Sequence, residues 1–196
     1  MRNPEITREN ILKQSGQLFN TVGYKATSLK HITDATGYTK GAIYRHFKSK
    51  DELEIETLSH LSFQMFALMK ARIKAQKTAG DKLRAIFNYF ETYISKPPLK
   101  GGCPLLNVAI ETDDAHPHLR KRAIMILDVL RDSIDAILSN GVKHGQIKMG
   151  IDKAYYATVI IATLEGAIMM SKLKGDNKDI VRVVIHLEKL IEGIEL

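Results

Sequence analysis

Apolar positions recur along this chain at helical spacing. In residues 3–22 they fall at Ile11, Leu12, Leu18, Phe19 and Val22, with Ser15 on the same side; Asn3 or Thr7 can cap this first helix and Gly23 ends it. Leu29, Ile32 and Ala35 then mark one face of a short helix that Ser28 can N-cap, and Gly37 stands where that helix must stop. Thr39 can cap a third helix that points Ile43 and Phe47 to a core. Longer periodic segments follow at residues 51–77, 83–95, 103–112, 117–140, 152–173 and 178–192, separated by Gly, Pro and Asp. The expected fold is all-α: an N-terminal three-helix domain over residues 1–50 and a C-terminal helical bundle over 51–196, with helix 51–77 linking the two.

Residues 28–47 carry the most informative pattern. Two short helices joined by a turn of about three residues form a helix-turn-helix, whose second helix enters the DNA major groove. The first turn of that helix, Thr39-Lys40-Gly41, offers free backbone N–H groups to a phosphate. Gly41 costs about 1 kcal/mol against alanine in a helix, a cost best explained by the close approach of another molecule. Tyr44, Arg45 and His46 can donate hydrogen bonds to phosphates or base edges. Lys25, Thr27, Ser28, Lys30 and Lys50 flank the unit and are candidates for backbone clamps, which position a protein without reading sequence.

Charge sharpens this reading. The chain carries a formal charge of +7, and residues 1–50 hold nine Lys or Arg against three Asp or Glu. Residues 51–196 hold 20 against 19, so nearly the whole excess lies with the helix-turn-helix. The plain alternative is a solvated basic face.

The run Ser28, Leu29, Ile32, Ala35, Gly37, Tyr38, Thr39, Gly41, Tyr44, His46, Phe47, Lys50 and Leu53 resembles the DNA-binding signature of the TetR family of bacterial transcriptional regulators. Ile11, Leu12, Leu18, Phe19 and Gly23 extend the resemblance back through the preceding helix. Thr33, Ser15 and Tyr38 depart from it, and Tyr38 alters the packing surface of the turn. The resemblance implies an all-helical, two-domain homodimer that binds double-stranded DNA at a palindromic operator and a small-molecule effector in its second domain. It also implies a dimer built on the last two helices. Residues 155–170 agree with that, being apolar nearly all round, as a helix buried on every side would be; a large monomeric core is the alternative.

Candidate effector contacts are Tyr89, Tyr93, Asn107, Glu111, Met125 and Glu165, with Asn107 and Glu111 sharing a helix face. Each has a plain structural reading as core, cap or interface residue. No nucleotide-loop, zinc-protease, hydrolase-elbow or C-x-x-C motif occurs, so no enzyme, metal or cofactor is expected. His116 and His118 beside Asp113 and Asp114 match no closed zinc site. The single cysteine, Cys103, reads as a packed residue in a reducing compartment. With no membrane span or export signal read from the sequence, the expectation is a cytoplasmic, ligand-controlled repressor. A sequence-blind chromosome-organising protein and an all-helical ligand carrier remain the alternatives, separable by the sequence and salt dependence of DNA binding.

Overall fold

A computed structural model of the chain describes residues 3–92, 95–112 and 116–196. Nine helices occur among them: α1 (Pro4–Val22), α2 (Leu29–Thr36), α3 (Lys40–Tyr44), α4 (Lys50–Lys74), α5 (Ala79–Glu91), α6 (Pro104–Glu111), α7 (Pro117–Lys143), α8 (Lys153–Lys174) and α9 (Lys178–Glu192). The one extended pairing described is an isolated bridge between Ile147 and Glu195. Helix ends follow their caps. Thr78 and Gly80 read as a break in the sequence, yet the Thr78 hydroxyl accepts the Asp81 N–H at 3.1 Å and α5 starts at Ala79, with Gly80 inside it.

The chain divides into two compact units. The first is Met1–Gln64 with Leu99–Ile126, and the second is Met65–Pro98 with Leu127–Leu196. This differs from a division at residue 50. The first part of α4, all of α6 and the start of α7 pack with the N-terminal helices.

In the first unit Ile11, Leu12 and Phe19 of α1 are buried with Tyr24, Ile32, Ile43, Phe47, Leu53 and Leu58. Each contributes about 1.5–3 kcal/mol by leaving water. The Phe19 and Tyr24 rings stack with centroids 4.8 Å apart and an interplanar angle of 4°. The α6 segment is tied to α1 by polar contacts. Asn20 donates to the Lys100 and Gly102 carbonyls at 2.7 and 2.9 Å, and Asn107 donates to the Asn20 side-chain oxygen at 2.9 Å. Gly101 (φ +99°) passes so close to the Asn20 carbonyl that a Cβ would lie 2.1 Å from it, so only glycine fits.

In the second unit α5, α8 and α9 enclose a core of Leu83, Ile86, Phe87, Ile160, Leu164, Ile168, Ile180 and Leu187. By length and composition α8 could cross a membrane; here one of its faces is packed into this core. The C-terminus is clamped onto the same unit. Lys148 N–H donates to the Ile194 carbonyl at 2.8 Å, and Leu196 N–H to that of Gln146 at 3.2 Å. Arg84 donates both terminal nitrogens to Glu195, at 2.7 and 2.6 Å.

Those bonds from Arg84 hold the Glu195 carboxyl below its ordinary value of 4.5. A depressed carboxylate contributes stability above its unfolded value and loses it as pH falls through the folded one. Glu195→Gln is therefore expected to lower the unfolding free energy at pH 7 by about 1.5–3 kcal/mol. In urea titrations, the difference from the parent should shrink progressively as the pH is taken below 4.5.

Candidate functional site

The helix-turn-helix forms as its capping residues dictate. Ser28 accepts the His31 N–H at 3.2 Å, and the His31 ring accepts the Ser28 N–H at 3.3 Å, closing a reciprocal cap on α2. Gly37 ends α2 in the left-handed region (φ +68°), and its N–H donates to the Thr33 carbonyl at 2.9 Å. Thr39 accepts the Ala42 N–H at 3.2 Å and starts α3. Ile43 and Phe47 are buried, which turns Thr39, Lys40, Gly41, Tyr44 and Arg45 outward. A Cβ on Gly41 would have nothing within 4 Å, so packing within the protein does not require the glycine. Lys40 reaches over the Tyr44 ring, 5.8 Å from its centroid.

His46 is half-buried and lines a cleft of about 410 Å³ with Arg45, Ala42, Tyr38, Thr7 and Pro4. Pro4 and Thr7 carry no motif that could have placed them beside the recognition helix. Tyr38 accepts from Asn10 of α1 at 3.4 Å, so the residue that departs from the signature buttresses the turn. Lys25, Ser28 and Lys30 are exposed, with Lys30 paired to Asp34 at 2.8 Å on the open surface. Such a pair exchanges readily for another anion.

In the second unit, Phe66, Met69, Lys70 and Ile73 of α4, Ile86 of α5, and Val129, Leu130, Ser133 and Ile137 of α7 line a cavity of about 400 Å³. That size suits a small organic ligand. The four α4 residues are spaced i, i+3, i+4, i+7. This stripe was hidden in the sequence because α4 has more apolar positions than one stripe needs.

The description "Bacterial regulatory proteins, tetR family" matches residues 11–57, and "Tetracyclin repressor-like, C-terminal domain" matches residues 79–187. A TetR transcriptional regulator from Chloroflexus aurantiacus is 35% identical, with each chain fully covered and a TM-score of 0.95. One from Cytophaga hutchinsonii is 30% identical over 100% of this chain and 98% of that one, with a TM-score of 0.92. The Fatty acid metabolism regulator protein of Bacillus subtilis is 26% identical over 174 residues, 88% of this chain and 87% of its own. The chain belongs to the TetR family of bacterial transcriptional regulators. Its relatives are DNA-binding regulators, not enzymes.

Several side chains expected at the sites of a TetR regulator do other work here. Thr27 is buried and donates to the Gly23 carbonyl at 2.6 Å, so it is closed to a phosphate. The Lys50 ammonium bonds the Tyr24 carbonyl at 3.0 Å and the buried Glu54 carboxylate at 2.9 Å, and it stands as a structural cation. Asn107 and Glu111 do share a face, but that face meets α1 and the residues that follow it within the first unit. Glu111 accepts the Tyr24 and Lys25 N–H groups at 2.7 and 3.1 Å, and neither residue lines the cavity.

Met125 is exposed in the first unit and does not line the 400 Å³ cavity. Tyr89 is buried in the second, with Arg72 over its ring at 5.2 Å. Glu165 borders a crevice of about 10 Å³ beside Ile86 and does not line the larger cavity. Tyr93, and Asp113 and Asp114 next to the histidines, lie outside the described residues.

Lys50→Met is expected to destabilise the fold by about 1.5–3 kcal/mol, because Glu54 is then left buried and unpaired. Denaturant unfolding of the variant measures it; unchanged stability with weakened DNA binding would return Lys50 to the interface.

Proposed function

We propose that this TetR-family regulator is a homodimeric, sequence-specific repressor that a small molecule releases from its operator. The observation that carries the reading is the outward face of α3. Thr39, Lys40, Tyr44 and Arg45 are exposed together, and Gly41 leaves open space among them that the protein itself does not fill. Lys25, Ser28 and Lys30 flank that face and serve as phosphate contacts, while His46 and Arg45 border the cleft against α1. Like its relatives, such a regulator acts in the cytoplasm, where the DNA is.

Dimerisation through α8 and α9 is favoured by what α8 leaves uncovered. Tyr155, Thr158, Ala162, Met169 and Leu173 form an exposed stripe at i+3 and i+4 spacings, with half-buried Gly166 in line. Ile185 of α9 is exposed as well. A second copy on this stripe gives the two-fold symmetry that two half-sites about 34–36 Å apart require. Ile161 and Ile168, by contrast, are buried inside the second unit, so a charge there would report on folding rather than on assembly.

The cavity between α4, α5 and α7 is the effector site in this reading. The ligand favours a state whose recognition helices no longer fit successive grooves. A change from 1:99 to 99:1 needs about 5.5 kcal/mol of differential affinity.

The deciding experiment is selection of DNA sites by the purified protein at two salt concentrations. A palindromic site with a steep salt slope is the expected result, and sequence-blind binding would support a chromosome-organising role instead. Gly41→Ala is expected to stabilise the fold by up to about 1 kcal/mol while weakening operator binding. Thermal melts and fluorescence anisotropy on labelled operator read the two effects. Leu173→Glu is expected to yield folded monomers in sedimentation; a dimer of parental affinity would place the interface elsewhere.

A further inference from the structure

The walls of the α4–α5–α7 cavity are chemically lopsided. Phe66, Met69, Ile73, Val129 and Ile137 supply apolar surface, and Lys70 is the one charged residue of the lining among the described residues. No acid borders the space among the described residues. On α7 the lining positions 129, 130, 133 and 137 share one flank, and helical spacing turns Asp128, Asp132 and Asp135 away from it. Asp135 already faces Lys153 at 3.8 Å.

The polar groups of the lining are also unequal. Ser133 donates its hydroxyl proton to the Val129 carbonyl at 2.7 Å, so it offers the cavity only an acceptor. Lys70 is exposed and makes no ion pair within the described residues, whereas Arg84 in the same unit is bound to Glu195. The side chain of Lys70 can lay its methylene stem along the apolar wall and keep its ammonium at the water-facing mouth. A cation in the cavity would meet like charge, and an uncharged apolar guest would cover the ammonium without replacing its hydration.

We infer that this cavity takes an amphipathic organic anion, its apolar body among Phe66, Met69, Ile73 and Ile137 and its anionic end on the Lys70 ammonium. The inference rests on the cavity being the effector site, as proposed above. At about 30 Å³ per non-hydrogen atom, the space of liquid water, 400 Å³ holds roughly a dozen such atoms. That corresponds to a medium-length chain or a small ring system bearing one acidic group.

The test uses the full-length protein, calorimetry, and three probes of matched length kept below micelle formation: sodium decanoate, decanol and decyltrimethylammonium. Decanoate should bind saturably, one per chain, and tighter than either other probe. Lys70→Met should weaken decanoate about tenfold or more and leave decanol unchanged. Val129→Trp, which fills the mouth, should abolish binding of both.

Equal binding of decanoate and decanol, tighter binding of the cation, or indifference to Lys70→Met would overturn the anion assignment while leaving the cavity as a ligand site. Binding that survives Val129→Trp would remove the cavity itself. The same probes on an operator complex separate the two readings. Lys70-dependent binding of decanoate without DNA release keeps the ligand class and rejects the effector role.

Discussion

The first unit depends on the few residues where the chain leaves α1. Tyr24 is buried with its ring flat against Phe19. Its N–H goes to Glu111 of α6 and its carbonyl takes the Lys50 ammonium at the start of α4. Three elements distant in sequence thus converge on one peptide segment, and buried backbone groups that would otherwise be costly are satisfied by charged partners. Burial, with Glu54 and Glu111 nearby, raises the Tyr24 phenol well above its ordinary pKa, so the ring stays neutral in this acidic setting. The orientation of α2 and α3 follows, since Ile32, Ile43 and Phe47 pack into the same core.

Charge is partitioned accordingly. Cations near that hub are committed within the protein: Lys50 to Glu54, and Arg8 to Glu56 while lying over the Phe47 ring. Cations on the outer face are free or only loosely held, as with Lys30 and Asp34. In the proposed function a phosphate backbone would meet, on that face, a surface whose positive charge costs little to redirect. The excess charge of the N-terminal segment measures the sum of both sets and cannot separate them.

That distinction marks where sequence reading succeeded and where it stopped. Helices, caps and the turn were legible because their causes are local: Ser28, Gly37 and Thr39 act on neighbours three or four residues away. The family was legible because many positions fit one signature in register. Thr27 and Lys50 could not be sorted from true surface groups, because their partners Gly23, Tyr24 and Glu54 become partners only after the turn has folded. Asn107 and Glu111 were correctly placed on one face, but helical spacing does not say what that face meets. The cavity residues escaped for a related reason: an apolar stripe that lines a space looks the same in sequence as one that fills it.

The first unit is assembled from two stretches, Met1–Gln64 and Leu99–Ile126, with thirty-odd residues of the other unit between them. Chains are made from the N-terminus, and domains tend to fold as units while synthesis proceeds. The helix-turn-helix leaves the ribosome while the Asn107 amide and Glu111 carboxylate that complete the packing of its unit are still unmade. The unit that carries the helix-turn-helix is thus begun before the other unit and finished only after a stretch of that unit has been made. Its last contacts wait until the intervening residues 65–98 of the other unit have been made.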